Sequence, residues 1–425
     1  MKSVPKTAVR ATIELVTGAV AAGGGCVARA ADGRVVFVRH SLPGERVVAE
    51  VTAETTSYLR ADAVEVLEAS PERVAPPCPH AGPGRCGGCD WQHVALPTQR
   101  ELKSDLVVEQ LRRVAGIERT VRVEEVPGAP DGLGWRTRVT FSVDRGGRIG
   151  LRRHRSHDIE HVAHCPLGTA AVDAVAVGAS TWRGARQVEV VASPDGGEPV
   201  VTATGRNGLS VPAGVRAGLV VNGRTVRRPD RVRVDVLGER FEVSSGVFWQ
   251  VHPAAAATLT TCVLDGLAPG PGERVADLYA GAGLFTVSLA RAVGPRGSVV
   301  AVERSATACA DAVRNAGDLH HIDILRSPVD PDTVAERLGS PDLVVLDPAR
   351  QGAGQAVMGA LVSLVPAPRR MAYVSCDPAS FARDLRVALD AGWSMDSLRA
   401  FDLFPMTEHV ESVAILVPPA VRKSS

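Results

Sequence analysis

Three short stretches of the chain carry residue types that can do covalent chemistry. Ser375-Cys376-Asp377-Pro378 offers a thiol beside a turn-forming Asp-Pro pair. Asp347-Pro348-Ala349-Arg350 and Phe404-Pro405-Met406-Thr407-Glu408-His409-Val410-Glu411 offer carboxylates, a guanidinium and an imidazole. A thiolate at a strand end can act as a nucleophile. A carboxylate in the same pocket can act as a general base. Such a pair suits substitution at a weakly nucleophilic pyrimidine carbon. Thiolate addition at carbon 6 of uracil makes carbon 5 nucleophilic. A base must then take the proton from carbon 5 so that the thiolate can leave. Cys376 is the candidate nucleophile and Glu411 the candidate base. Cys262 and Cys309 read instead as small buried hydrophobes.

A Gly-rich turn supplies the second chemistry. Asp277-Leu278-Tyr279-Ala280-Gly281-Ala282-Gly283 follows an apolar run and precedes a helical pattern, and Glu303 ends the next apolar run. Glycines there permit a tight turn and close backbone approach to a ligand, and an acid at the Glu303 position can hold ribose hydroxyls. A dinucleotide loop would place glycine where Thr286 stands. The acid Asp277 suits a cationic methyl donor, S-adenosylmethionine, better than a pyrophosphate.

These groups need a sheet to hold them. From about residue 245 the pattern alternates strand and helix. Runs at 275–278, 298–303, 343–347 and 371–375 are near-continuously apolar, as buried parallel strands are. This predicts a doubly wound α/β sheet with ligands at the carboxyl ends of its strands. Residues 8–68 read as short strands between Gly-rich turns, the spacing of a small OB-like barrel. Residues 96–115 carry a helical face of Leu102, Leu106, Val107, Leu111 and Val114. Strand-like segments follow to about 243.

Residues 71–93 have no periodicity and contain Cys78, Cys86 and Cys89. With Cys165 they make four thiols, a donor set for zinc or a [4Fe–4S] cluster; Cys86 and Cys89 could alternatively be a redox pair.

The 425 residues are 45% hydrophobic and 22% charged, which excludes a largely disordered chain. Lys+Arg is 48 against Asp+Glu 47. A polyanion partner must therefore be held by a local patch. Residues 134–157 provide one, with seven Arg and one Asp. Only Lys2, Lys6, Lys103 and Lys423 are lysines. No apolar run has the 18 or so residues of a membrane span, and the basic start with Lys2, Lys6 and Arg10 makes a poor signal peptide. The expectation is a cytoplasmic protein.

In combination, Phe248-Trp249-Gln250, the 277–285 loop, Asp347-Pro-x-Arg350, Ser375-Cys376-x-Pro378 and Phe404-Pro-x-Thr-x-His409-x-Glu411 resemble a known family. It is the RNA uracil-5-methyltransferases that carry an N-terminal TRAM domain and an iron–sulfur cluster. The resemblance implies that Cys376 adds to carbon 6 and that Glu411 removes the carbon-5 proton. It implies that Gln250 and Asp347 hold the uracil edge and the cofactor, and that Phe248 stacks on the flipped base. It places Tyr279, Gly281 and Glu303 in the S-adenosylmethionine pocket. It makes Cys78, Cys86, Cys89 and Cys165 the ligands of a [4Fe–4S] cluster with a structural role. Arg29, Arg34, Arg39 and Arg46 of the TRAM barrel would contact RNA backbone.

Three features depart from the family pattern. Ala280 replaces a Cys, Asp377 replaces an Asn, and seven residues rather than five separate Cys78 from Cys86, with Gly82-Pro83-Gly84 absorbing the insertion. The expected architecture is multidomain α/β. It comprises a TRAM barrel (1–70), a central α+β domain with the cysteine loop (71–243) and a Rossmann-like methyltransferase domain (244–425), with helix 96–115 available to pack on the last. The expected activity is methylation of a uridine in RNA, ribosomal rather than transfer, by a monomer. The alternative is a methyltransferase on a non-RNA substrate.

Overall fold

The computed structural model describes residues 11–420. Lys2, Lys6, Arg10 and Lys423 lie outside them. Contacts divide the chain into two compact units. Among the described residues, one contains 11–106 with 151–160 and 405–408; the other contains 107–150, 161–404 and 409–420.

The first unit holds a five-stranded sheet. Its strands are β1 (Thr12–Val16), β2 (Cys26–Arg29), β3 (Val35–Arg39), β4 (Arg46–Glu54) and β5 (Tyr58–Glu68), in the order β1-β4-β5-β3-β2. Alternation sends Val36, Val38, Val47, Ala49, Leu59 and Ala61 into one core. Beyond β1, Gly18 N donates to Val27 O (2.7 Å) and Val27 N to Ala19 O (2.9 Å), so the chain after β1 bonds β2. The loop 69–95 has no regular element. Its anchor is Trp91, fully buried with Val20, Cys26, Leu42 and Val94 and donating from Nε1 to Gly24 O (2.9 Å). The loop ends at α1 (Leu96–Gln110), which continues as one wide turn, Leu111–Ala115, and stops at left-handed Gly116.

The second unit takes in the end of α1 and the wide turn, and its first strand is β6 (Val123–Glu125). A mainly antiparallel sheet follows: β7 (Arg138–Val143), β8 (Ile149–Arg152), β10 (Ala185–Val191), β11 (Val200–Gly205), β12 (Gly218–Val221) and β13 (Arg224–Arg227), in the order β13-β12-β11-β10-β7-β8. The end of β8 and the short β9 (Ile159–Glu160) are counted with the first unit. A short helix, α2 (Ala170–Asp173), is capped by Thr169. The hairpin β14 (Arg231–Val236) and β15 (Glu239–Ser244) leads to α3 (Ala255–Leu267).

The remainder is doubly wound. Its strands are β16 (Arg274–Leu278), β17 (Ser298–Glu303), β18 (Ile322–Arg326), β19 (Leu343–Leu346), β20 (Arg370–Ser375), β21 (Ser394–Asp402) and β22 (Glu411–Val417). Its helices are α4 (Leu284–Val293), α5 (Ala306–Ala316), α6 (Pro331–Arg337), α7 (Gln355–Val362) and α8 (Pro378–Asp390). The sheet order is β18-β17-β16-β19-β20-β22-β21-β6, with β22 antiparallel to both neighbours. Both faces are covered. Val275, Val345 and Val374 pack with Leu259, Val263 and Phe285 of α3 and α4, while Ala276, Val344 and Tyr373 pack with Leu361, Phe381 and Leu385 of α7 and α8. Each such Leu or Phe contributes roughly 1.5–3 kcal/mol by leaving water. Val107, Leu111 and Ala115 join the second of these cores. β6 adds an eighth strand, held by Glu124 forking onto Arg399 at 2.9 and 2.7 Å. Three residues from Val123 are too short a run to read as a strand by periodicity.

Candidate active site

The order of strand addition reverses between the parallel strands β16 and β19, which opens a crevice at their carboxyl ends, the usual ligand position in such sheets. β16 delivers Asp277 there. The residue is fully buried, and its Oδ2 accepts from Thr286 Oγ1 of α4. Its Oδ1 has no partner among the described residues. Burial, more than the neighbouring Glu303, pushes its carboxyl up to about 7. The loop beyond bends through left-handed Tyr279 (φ 63°), Gly281 (φ 55°) and Gly283 (φ 91°). A Cβ at Gly281 would meet nothing within 4 Å, so the backbone there faces open space. Glu303, ending β17, accepts from Gly281 N (3.1 Å) and Ser305 N (2.6 Å). An orphaned buried carboxylate oxygen beside an uncovered glycine backbone fits a cationic, hydrogen-bonding ligand such as S-adenosylmethionine.

β19 and β20 deliver the next groups. Asp347 follows β19, and burial, then Asp277, pushes its carboxyl up to about 7. Cys376 follows β20. Because β22 is antiparallel, its first residue lies at the same edge. The β20–β22 register pairs Ser375 with Ser412. Continued by one residue, that ladder sets Cys376 opposite Glu411. Electrostatics agree with this placement. Burial pushes the Cys376 thiol up to about 12, and Glu411, Asp347 and Asp377 push the same way while Arg350 opposes them. Burial, then Asp347, also holds the Glu411 carboxyl well above the usual range, again against Arg350. Arg350 Nη2 and His409 Nε2 are 3.1 Å apart. Asp377 caps α8 by accepting from Ser380 N at 2.7 Å, a role an Asn would fill equally.

Gln250 is buried, whereas Phe248 is 66% exposed. Both lie on the segment after β15, whose peptides are held by Arg138 (to Val247 O, 2.6 Å) and Thr137 (N to Val251 O, 2.8 Å). Thr286 and the Arg350–His409 contact carry no separate mark in the sequence beyond lying in or beside the motifs.

Three of the thiols lie in the first unit and Cys165 in the second. Cys78 N donates to the Gln92 side-chain oxygen (3.2 Å), and Gln92 Nε2 donates to Cys89 Sγ (3.4 Å). Cys86 bridges Arg153, and a Cβ at Gly87 would sit 2.6 Å from His154 Cα, so only glycine fits that crossing. Among the described residues, no three His, Cys, Asp or Glu side chains come together as a metal-binding group. The third motif is also divided. Pro405–Glu408 belongs to the first unit, where Met406 O accepts from Asp90 N and Trp91 N (3.1 and 3.0 Å) and Glu408 accepts from Gly23 N (2.5 Å).

Arg34 pairs with Asp32 and Glu54, Arg46 with Glu14 and Glu68, and Arg39 with Asp62 and Asp90. These arginines are partly neutralised. Arg60 instead lies over Phe37 and Tyr58 at 5.6 and 5.4 Å. Arg145 and Arg155 of the basic segment are exposed.

A TRAM domain is matched over residues 6–64. An RNA methyltransferase of Streptomyces avermitilis is 44% identical over 96% of this chain and 98% of its own. A 23S rRNA (uracil(1939)-C(5))-methyltransferase of Alkalilimnicola ehrlichii is 33% identical over 90% and 92%. The chain belongs to the RNA methyltransferase family. A solved Pyrococcus abyssi tRNA (uracil-54, C5)-methyltransferase, bound to S-adenosyl-L-homocysteine, shares the fold of this methyltransferase. Its TM-score is 0.72 at 23% identity, over 95% of this chain and all of the other. No helix among the described residues is long and apolar enough to cross a membrane.

Proposed function

We propose that this methyltransferase transfers a methyl group from S-adenosylmethionine to carbon 5 of a uridine in RNA. The observation that carries the reading is the register of β20 and β22, which sets a thiol opposite a buried carboxyl with Asp347 and Arg350 acting on both. Cys376 Sγ, as thiolate, bonds carbon 6, and the electrons of the 5,6 double bond move to the carbon-4 oxygen. Bound S-adenosylmethionine supplies the methyl cation equivalent to carbon 5 and leaves as neutral S-adenosylhomocysteine. Glu411, ionised, then takes the proton from carbon 5, the 5,6 double bond re-forms, and the thiolate leaves carbon 6.

Asp277, Tyr279, Gly281 and Glu303 would hold the cofactor, and Gln250 and Asp347 would serve both cofactor and base edge. Phe248, with its ring exposed, is free to stack on a uracil swung out of its helix. Ribosomal RNA is the favoured substrate, because the relative acting on 23S rRNA matches the chain at 33% identity over nearly its full length. The TRAM segment, read as an OB-like barrel over 1–70, would grip RNA backbone ahead of the 71–243 and 244–425 segments. The protein would act as a cytoplasmic monomer. Cys78, Cys86, Cys89 and Cys165 remain the donor set proposed for a structural [4Fe–4S] cluster. Iron and sulfide analysis of anaerobically purified protein tests that: about four of each per chain supports it, and none rejects it.

The substrate test is the mapping of 5-methyluridine in total RNA from a deletion strain. Loss of one such residue in ribosomal RNA is expected. An unchanged map in both ribosomal and transfer RNA would reject the reading.

A further inference from the structure

Asp384 is a fully buried carboxylate on α8 that the proposed chemistry does not use. Its Oδ2 accepts from Tyr373 Oη (2.7 Å) and Gly354 N (3.1 Å). The same Tyr373 oxygen accepts from Ala353 N (3.1 Å). One turn earlier on α8, Ser380 Oγ donates to Arg350 O (2.8 Å), and Arg383 Nη2 donates to Gln351 O (2.5 Å). Between them, Gly352 turns left-handed, and a Cβ there would collide with Asp384 Oδ2. The peptides of Arg350, Gln351, Ala353 and Gly354 are therefore all fastened to α8 or to β20.

α8 begins two residues after Cys376. One helix thus adjoins the thiol at its first turn and grips the backbone of Arg350 with its next residues. An exposed arginine on a free loop would spread over many rotamers and backbone states. Fastening its backbone restricts where its charge can lie.

We propose that Asp384, together with Ser380, is a positioning residue that holds the Arg350 guanidinium beside the Cys376 thiol. The inference rests on reading Cys376 as the nucleophile, but its test needs neither RNA nor cofactor. Glu411, Asp347 and Asp377 all disfavour the Cys376 thiolate, and Arg350 favours it. Around Asp384 itself stand Tyr373, Arg383 and Tyr279. Releasing the loop removes the favourable charge and leaves the unfavourable ones.

The experiment is the rate of iodoacetamide alkylation of Cys376, read by mass spectrometry of its peptide at fixed pH below the thiol midpoint. There the rate follows the thiolate fraction. Ser380→Ala and Asp384→Ser are each expected to slow alkylation by about 3- to 10-fold, the equivalent of half to one pH unit. Asp384→Asn keeps an acceptor oxygen for Tyr373 and Gly354 and is expected to stay near the wild-type rate. Arg350→Gln should slow alkylation alone, and Ser380→Ala added to it should slow it no further. A purely structural loosening would uncover the thiol and speed alkylation. Faster or unchanged alkylation in folded Ser380→Ala, or additive slowing in the double variant, would overturn the proposal. Should Asp384→Ser fail to fold, Ser380→Ala and its pairing with Arg350→Gln still decide. Loss of uridine methylation by wild type would sink the proposed function while leaving this outcome readable.

Discussion

The carboxyl edge of the doubly wound sheet and the cysteine loop of the first unit are both marked in the sequence by reactive residues, yet they are built differently. At the sheet edge, each group leaves the end of a regular strand. Register then relates its neighbours: β20 pairs antiparallel with β22 through Ser375 and Ser412, and the ladder continued by one residue sets Cys376 opposite Glu411. The loop 69–95 has only isolated bridges, Arg73 with Val94 and Cys86 with Arg153. Cys78 and Cys89 are related through the Gln92 amide, and the described side chains do not gather as a metal site. Strand pairing orders the edge groups, whereas the loop thiols are held by single side-chain hydrogen bonds and an isolated bridge.

Substitutions should separate the two regions. The largest effect is expected at the edge: Cys376→Ala should lower methyl transfer to RNA by on the order of 10⁴-fold or more, as for other removed nucleophiles. Radiolabel transfer from S-adenosylmethionine measures it, and near-normal activity would break the comparison. Next comes Glu303→Ala, which removes the acceptor of Gly281 N and Ser305 N. S-adenosylhomocysteine binding should weaken roughly 10- to 100-fold by calorimetry, in keeping with one charge-assisted hydrogen bond or two.

A third effect concerns stability. The Asp277 carboxyl rises from 3.8 to about 7 in the folded protein. The native state therefore holds this proton more tightly than the unfolded chain. That contribution is complete below about pH 4 and is lost as pH rises to about 7. Asp277→Asn stays neutral and can still accept from Thr286. It should raise Tm more at pH 8 than at pH 5, by several degrees, as thermal scans at the two values would show. An equal change at both would remove burial as the cause. The smallest effect belongs to the loop. Cys89→Ser should change methyl transfer by less than about threefold while abolishing any bound iron, since the Gln92 contact it disturbs is one weak hydrogen bond. A collapse of activity with this change would erase the distinction between the two regions.

Legibility follows the same division. β16, β17, β19 and β20 are readable because buried parallel strands are apolar on both faces. The helix expected over 96–115 appears as Leu96–Gln110 with a wide turn to Ala115. What escapes a sequence reading depends on partners far away in the chain. β6 is three residues that become a strand only against β21. The transfer of Pro405–Glu408 to the first unit rests on Gln99, Asp90 and Trp91. The grouping of 151–160 and 405–408 with the first unit follows from contacts that composition does not record. Asp384 sits in the stretch Pro378-Ala379-Ser380-Phe381-Ala382-Arg383-Asp384, which reads as an ordinary amphipathic helix. Its buried carboxylate gains meaning only from Tyr373 and the 350–354 peptides.

Cys376 and Glu411 are proposed to act in sequence on one uracil. The most direct measurement is incubation of Glu411→Gln with substrate RNA and S-adenosylmethionine, followed by denaturing electrophoresis and mass spectrometry of the Cys376 peptide. With the base removed, the carbon-5 proton stays and the thiolate cannot leave. A denaturation-resistant protein–RNA adduct, carrying one added methyl group, is expected on Cys376 and absent from Cys376→Ala. Normal turnover by Glu411→Gln with no adduct, or an adduct on another residue, would contradict it.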